Sequence, residues 1–165
     1  EADGADVLIT TGGASVGDHD LVRPALEAAG AKLDFYRIAM RPGKPMFFGR
    51  MGKTRVLGLP GNPLSAMIGA RVFLVPMLAH MLGRTDALKP VPAKLSKPVA
   101  ANGPREHFMR AMLDTSGPHP TVAPLSIQDS AFVSALVKSN ALAVIPANAP
   151  ALDAGTPVAC LPLDF

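Results

Sequence analysis

Three short loops in the first half of the chain carry residue types that bind anions. They are residues 12–20 (GGASVGDHD), residues 41–45 (RPGKP) and residues 59–65 (LPGNPLS). Glycine lets backbone approach a ligand closely, while arginine, lysine and serine donate hydrogen bonds to oxyanions. Three loops of this kind in close succession indicate a binding site for a small anion.

The third loop predicts a helix that begins at this site. Asn62 is a good N-cap and Pro63 a good first helical residue, because neither N–H is needed inside the helix. Such a corner, starting at Gly61, directs unpaired N–H groups and the positive end of the helix dipole at an anion. The Ser65 hydroxyl either points to the same place or bonds locally to the start of the helix.

The second loop places two cations on a rigid turn. Pro42 and Pro45 fix the backbone on either side, while Gly43 permits a tight turn. Arg41 offers a planar fork and Lys44 a compact charge, a pair suited to a tetrahedral oxyanion. The alternative is a surface turn whose charges are simply solvated.

The first loop combines glycines with a hydroxyl and two carboxylates. Gly12 and Gly13 permit close backbone approach, and Ser15 can donate to a phosphate. Asp18 and Asp20 could hold Mg²⁺, which commonly accompanies phosphate chemistry. The alternative is a tight turn in which Asp20 only caps the following helix.

A further pair of arginines, Arg105 and Arg110, lies in the second half of the chain. Considered by themselves, they favour charged groups on a solvent-facing strand.

The elements of the first half alternate between strand and helix. Predicted strands cover residues 7–10, 33–39, 46–49 and 54–58, and predicted helices cover 21–29 and 63–82. Pro76 is expected to kink the second helix or to mark the meeting of two pieces. Alternation of this kind indicates a three-layer α/β domain, in which loops 12–20 and 61–65 face one crevice at the carboxyl ends of the strands.

The second half reads as short strands punctuated by proline. After a linker at residues 89–92, a helix is expected near 130–138, and the predicted strands are 93–99, 107–113, 121–124, 142–145 and 158–161. This pattern favours a small all-β barrel or sandwich. The predicted division is therefore an α/β domain over residues 1–88 and a barrel-like C-terminal domain over residues 89–165.

The composition and charge of the chain favour some classes of binding partner over others. The 165 residues are 48% hydrophobic, with a net charge of +3 from scattered basic residues, which suits an anionic small molecule better than nucleic acid. No uninterrupted apolar run reaches membrane-spanning length and no signal peptide is evident, so a cytoplasmic location without a membrane partner is expected. The single cysteine, Cys160, excludes an internal disulfide and is predicted to lie in the core of the last strand.

Together these motifs resemble the molybdopterin molybdotransferase family, the MoeA type that includes the gephyrin E domain. The family patterns GG-x-S-x-G-x-x-D, [KR]-PGKP and LPGNP-x-S match residues 12–20, 41–45 and 59–65 in order. Weaker similarity continues around Arg105 (GR-x-x-F-x-R) and at residues 139–142 (AN-x-L). The α/β domain is then expected to be part of a molybdopterin-binding, MogA-like domain, and the chain the C-terminal portion of a longer protein.

The resemblance implies an enzyme that inserts molybdenum from molybdate into adenylylated molybdopterin and releases AMP, assisted by Mg²⁺ and working as a homodimer. It implies catalytic roles for Lys44 and Asp20, and metal binding by Asp18 and Asp20. The implied molybdate contacts are Arg41, Lys44, Ser65, Arg105 and Ser130. The implied molybdopterin and phosphate contacts are Gly12, Gly13, Ser15, Gly17, Gly61 and Asn62.

Two alternatives stay open. A molybdopterin adenylyltransferase of the MogA type shares the glycine-rich loop, and the gephyrin E domain also serves as a non-catalytic scaffold. The chain lacks the family's upstream domains and the first half of the α/β domain, and Pro104 stands where the family has glycine. The activity of this segment by itself is therefore an open question.

Overall fold

The computed structural model describes residues 4–13, 21–84, 89–129 and 134–163. Within these ranges the chain forms a four-stranded sheet in its first half and a second sheet that lies mainly in its second half. The strands and the first helix of the first half are β1 (Val7–Thr11), α1 (Val22–Ala28), β2 (Lys32–Arg37), β3 (Met40–Arg41), β4 (Pro45–Met51) and β5 (Thr54–Leu59).

The first sheet has the strand order β1-β5-β4-β2 in the described residues. β1 and β5 are parallel, whereas β5, β4 and β2 pair antiparallel. The predicted strands 46–49 and 54–58 form β4 and β5, which pair with each other, and β2 ends two residues before the predicted limit. Gly30 follows α1 with φ of 91° and ends the helix, directly after the predicted range of 21–29. The predicted cap of that helix, Asp20, lies outside the described residues.

A long helix follows β5 and changes type along its length. It runs through α2 (Pro63–Gly69), a π-helical segment (Ala70–Leu74) and α3 (Val75–Met81). Pro76 lies where the π segment meets the last α piece, as expected for a residue without an N–H. By length and composition this helix could cross a membrane, with a mean hydropathy of 1.5, but core helices of globular proteins pass the same test.

Helices cover both faces of the first sheet. Leu26 of α1 packs on one face, against Phe47 and Val56. Leu64 and Ile68 of α2 pack on the other face. Neighbouring residues of β4 and β5 alternate between these two cores, as the pleat of a strand requires. The prediction of a three-layer α/β domain is confirmed.

The second half closes into a barrel. Its elements are β6 (Val91–Leu95), β7 (Glu106–Asp114), β8 (Thr121–Pro124), α4 (Ser134–Val137), β9 (Ala141–Ile145) and β10 (Pro157–Pro162). In the part of the chain that the structure describes, five strands follow the order β7-β8-β6-β10-β9, and β9 pairs with β7 to complete the ring. The barrel rather than the sandwich is therefore correct, and Cys160 lies fully buried in β10 as predicted.

The two halves share a strand pairing and a core. β3 leaves the first sheet and pairs in parallel with β7 of the barrel, Met40 opposite Glu106 and Arg41 opposite His107. One continuous apolar cluster contains Leu59 and Leu64 from the first half and barrel residues such as Phe108 and Leu142. The predicted division at residues 88 and 89 stays a prediction, and β3 shows that the first half contributes a strand to the second sheet.

Candidate functional site

The loops after β1 and β5 meet at the end of the first sheet. The Gly12 N–H donates to the Leu59 carbonyl at 3.0 Å. A Cβ added to Gly61 would lie 3.3 Å from the Gly12 Cα, a tight contact that shows how closely the two loops pack. Gly12 and Gly13 have φ of 83° and 68°, in the region that favours glycine. The start of the glycine-rich loop therefore lies against the Gly-Asn-Pro corner.

The corner has the predicted cap. The Asn62 side chain accepts a hydrogen bond from the Ser65 N–H at 3.0 Å, and Pro63 occupies the first helical turn. Asn62 has extended φ and ψ of −70° and 122°, as an N-cap requires. The cap thus fixes the start of α2, and Ser65 is buried beside a surface cavity.

The turn between β3 and β4 brings its cations to the same place. Gly43 has φ of 111°, and a Cβ there would lie 3.6 Å from Met40 and 3.8 Å from Pro60. These are ordinary contacts, so the positive φ rather than lack of space favours glycine here, and the turn lies against Pro60 of the loop after β5. Arg41 is half-buried and Lys44 is exposed.

One cavity unites most of the described residues that the sequence singled out for an oxyanion. Its volume is about 410 Å³, and its wall includes Arg41, Lys44, Ser65 and Arg105. The other lining residues are Pro42, Gly43, Pro45, His107, Gln128 and Asp129. The first half and the barrel thus both line one space, with three cationic side chains facing it.

Arg105 is held in place from within the barrel. The Asn102 amide donates to the Arg105 carbonyl at 2.8 Å and to the Pro146 carbonyl at 2.7 Å. A smaller cavity of about 60 Å³ borders both Arg41 and Arg105. Arg41 Nε and Asn102 Oδ1 are buried near it without a hydrogen-bond partner among the described residues.

Arg110 is buried rather than exposed, so the expectation of a solvent-facing charge is wrong for this residue. Only 1% of its surface is accessible, and its Nη2 donates to the carbonyls of Ile127 and Asp129 at 3.0 and 3.3 Å. Gln128 accepts from the Arg110 N–H and donates to its carbonyl. These bonds hold residues 127–129 against the cavity, while Arg105 is half-buried and lines it.

The surroundings of the cavity change the pKa of His107. Only 7% of this residue is accessible. Burial, followed by the positive charges of Arg41, Arg110 and Arg105, lowers the pKa of His107 from 6.5 to about 4. The imidazole is therefore neutral near pH 7 although it lies on the wall of an anion-attracting space.

Five predicted site residues lie outside the described residues: Ser15, Gly17, Asp18, Asp20 and Ser130. Within the described ranges, no group of three or more His, Cys, Asp or Glu side chains could hold a metal ion. The predicted Mg²⁺ ligands, Asp18 and Asp20, are not among the described residues, so Mg²⁺ binding stays a prediction.

Three lining residues were missed from the sequence: His107, Gln128 and Asp129. His107 stands between the two arginines of the weak barrel motif, and Asp129 precedes Ser130. Their proximity to predicted site residues was the available signal, but strand pairing and the Arg110 hydrogen bonds decide which side chains reach the cavity.

Comparison with family models defines the class of each half. Residues 1–80 match the model described as "Probable molybdopterin binding domain", and residues 92–163 match "MoeA C-terminal region (domain IV)". This order combines a molybdopterin-binding type of α/β domain with a MoeA C-terminal domain.

Individual relatives agree with this class. The chain is 38% identical to a molybdopterin molybdenumtransferase of Synechococcus elongatus, over 94% of this chain and 38% of the relative. It is 33% identical to the enzyme of the same name from Haemophilus influenzae, over 97% of this chain and 40% of the relative. The solved MoeA protein of Pyrococcus horikoshii is similar with a TM-score of 0.76 and 27% identity, over 97% of this chain and 38% of that chain. The chain belongs to the MoeA family and spans about two-fifths of the length of these relatives.

Proposed function

We propose that the protein containing this chain inserts molybdenum from molybdate into adenylylated molybdopterin, with release of AMP, as a step in molybdenum cofactor biosynthesis. The observation that carries this proposal is the convergence of Arg41, Lys44, Arg105 and Ser65 on one cavity of about 410 Å³. Family membership, with curated relatives named molybdopterin molybdenumtransferase, supports the choice of molybdate as the oxyanion.

The residues of the cavity suit a tetrahedral dianion. Arginine donates through a planar fork and lysine supplies a compact charge, and hydrogen bonds to ionised groups are the strong ones. Arg41 and Lys44 lie on one turn, and Arg105 reaches the same space from the barrel. The sulfur ligands of molybdenum belong to molybdopterin, so the protein has to position the oxyanion and stabilise its charge.

The neighbouring corner suits the phosphate of molybdopterin. Gly12, Gly13, Gly61 and Asn62 lie together at the ends of β1 and β5, where the helix begins. Helix starts and glycine-rich turns offer backbone N–H groups to phosphates. We assign these residues to the molybdopterin side of the site, together with Ser15 and Gly17 of the same loop.

Other parts of the proposal rest on the resemblance. They are a catalytic role for Lys44 and for Asp20, Mg²⁺ held by Asp18 and Asp20, a molybdate contact from Ser130, a homodimer, and a cytoplasmic location. Mg²⁺ would supply charge compensation for the phosphates.

Replacement of Lys44 tests the proposal. We expect Lys44→Ala to abolish molybdenum insertion in a reconstituted assay with the full-length protein, and to weaken molybdate binding about tenfold or more, because one charge-assisted contact is lost. The thermal midpoint should not change, since Lys44 is exposed. Lys53→Ala, an exposed lysine in the turn between β4 and β5, is the matched control. Wild-type insertion by Lys44→Ala would refute the proposal.

The adenylyltransferase alternative explains less of the site. In that family a single α/β domain carries the activity, whereas here the barrel supplies Arg105, His107 and residues 128–129 to the cavity wall. Consumption of ATP with molybdopterin in the absence of molybdate would favour the alternative.

A further inference from the structure

His107 occupies a central position on the wall of the main cavity. It lies on β7 directly opposite Arg41 on the parallel strand β3. The residue is more than nine-tenths buried, and its side chain borders the cavity. Among the residues that the structure describes, none forms a hydrogen bond with its imidazole. A polar ring is thus buried beside the space proposed for the oxyanion.

The charges around this ring come from several elements of the fold. Arg41 approaches from β3, Arg105 lies directly before β7, and Arg110 lies within β7. Lys44 faces the cavity from the turn after β3. Asp129, from the segment after β8, is the one carboxylate among the described lining residues. The surroundings of the imidazole are therefore predominantly positive before an anion binds.

A bound dianion offsets much of this positive charge. Two negative charges in the cavity would offset the nearby guanidinium and ammonium groups and would favour the protonated imidazole. Protonation also gives the ring a second N–H donor, so both its nitrogens can donate. The charge of the ligand and the protonation of the ring then stabilise each other.

We propose that His107 is a further contact of the bound oxyanion and takes up one proton from solvent when the dianion enters the cavity. The identity of the dianion, molybdate, rests on the proposed function; the proton uptake rests on the position of His107. In the complex His107 acts as a third kind of cation beside arginine and lysine, but one that is charged only when the ligand is present.

Linkage gives the sign of the pH dependence. The free protein has a His107 pKa of about 4, and the complex has a higher one. Between these two pKa values binding consumes a proton, so the dissociation constant increases as the pH rises, by at most tenfold per pH unit. Above the pKa of the complex the dissociation constant becomes constant.

Calorimetric titration of the full chain tests the proposal. Molybdate would be kept at concentrations where it is a monomeric dianion, between pH 5.5 and 7.5, in two buffers of different ionisation enthalpy. We expect proton uptake approaching one per anion at the lower pH and a dissociation constant at least threefold larger at the higher pH. The imidazole NMR signals of His107 should show a pKa that rises by more than one unit when molybdate is added.

Two variants separate a proton-binding role from a merely structural one. His107→Gln keeps a polar side chain that cannot titrate, and it should remove both the proton uptake and the pH dependence while molybdate still binds. His119→Gln, which changes an exposed histidine of a barrel loop, should behave as the wild type does. Circular dichroism checks that both variants are folded.

The outcomes distinguish this proposal from the proposed function. If the wild type binds molybdate without proton uptake, or if His107→Gln retains the pH dependence, the role of His107 is refuted and the oxyanion cavity stands. If the wild type does not bind molybdate at any pH, or if Lys44→Ala binds it as tightly as the wild type does, both proposals fail.

Discussion

The α/β half and the barrel contribute to the same cavity by different physical means. In the α/β half, Arg41 and Lys44 are separated by three positions along one turn, and Ser65 follows its own N-cap by three residues. Proline and the Asn62 cap restrict the backbone locally and Gly43 permits the turn, so the backbone positions of these residues are set within a few neighbouring residues.

In the barrel, the placement of the cavity-lining residues depends on contacts between residues that are distant in sequence. Asn102 holds the Arg105 segment to residues 145 and 146. Arg110 and Gln128 together hold residues 127–129 against the cavity. A single site can thus combine preformed local turns with a wall that exists only once a barrel has closed.

The largest loss of stability should come from removing the buried arginine of the barrel, a test of the half that depends on distant contacts. Arg110→Ala leaves the carbonyls of Ile127 and Asp129 without their donor and opens a cavity, at a cost of about 3 kcal/mol in the free energy of unfolding. Urea denaturation measures this loss. Arg23→Ala breaks only the exposed pair with Glu27 and should change stability by less than about 0.5 kcal/mol. Equal effects of the two substitutions would show that the barrel wall does not depend on Arg110.

Removal of the N-cap tests the local half of the comparison. Asn62→Ala should lower stability by about 1 kcal/mol, because the Ser65 N–H loses its acceptor at the start of α2. Asn62→Ser retains an acceptor and should restore most of the loss. Thermal unfolding of both variants provides the measurement, and an alanine variant as stable as the wild type would contradict the role of the cap.

The third test measures how the stability of the folded chain depends on pH through the titration of His107. Its pKa is about 4 in the folded protein without ligand and 6.5 in an unfolded chain, so the unfolded chain binds the extra proton between these values. The folded state should therefore lose stability as the pH falls, by about 0.5 kcal/mol between pH 7 and pH 6 after allowance for solvent screening. His107→Gln should flatten this dependence in urea titrations. A stability that rises as the pH falls through this range would contradict the assignment.

The smallest change is expected in the labelling of Cys160 in the folded chain. Burial raises the pKa of its thiol to about 11, and the side chain is fully enclosed in the barrel core. The folded chain should stay unlabelled by a thiol reagent at pH 8 and should react fully in denaturant. Mass spectrometry after a short exposure distinguishes the two states, and rapid labelling of the folded chain would show that the barrel opens easily.

Much of the architecture could be predicted from the sequence, for reasons that differ between elements. Hydrophobic patterns located most strands to within a few residues, and β8 has the predicted bounds of 121–124. The short strand β3 was not predicted, and β6 begins at Val91, inside the predicted linker. The choice between barrel and sandwich could not be predicted, because it depends on whether β9 returns to β7. The burial of Arg110 was also inaccessible, since its partners lie 17 and 19 residues away along the chain.

The local chemistry follows from the amino-acid sequence alone: a proline-bounded cationic turn, a capped helix start and a pair of glycines. These features are encoded within a few residues, because φ restrictions and caps act on immediate neighbours. Tertiary structure decided that Arg105 and His107 join Arg41, through the parallel pairing of β3 with β7. Strand register is set by packing across the whole fold. Arg105 and His107 therefore line one cavity with Arg41 only when the barrel has closed.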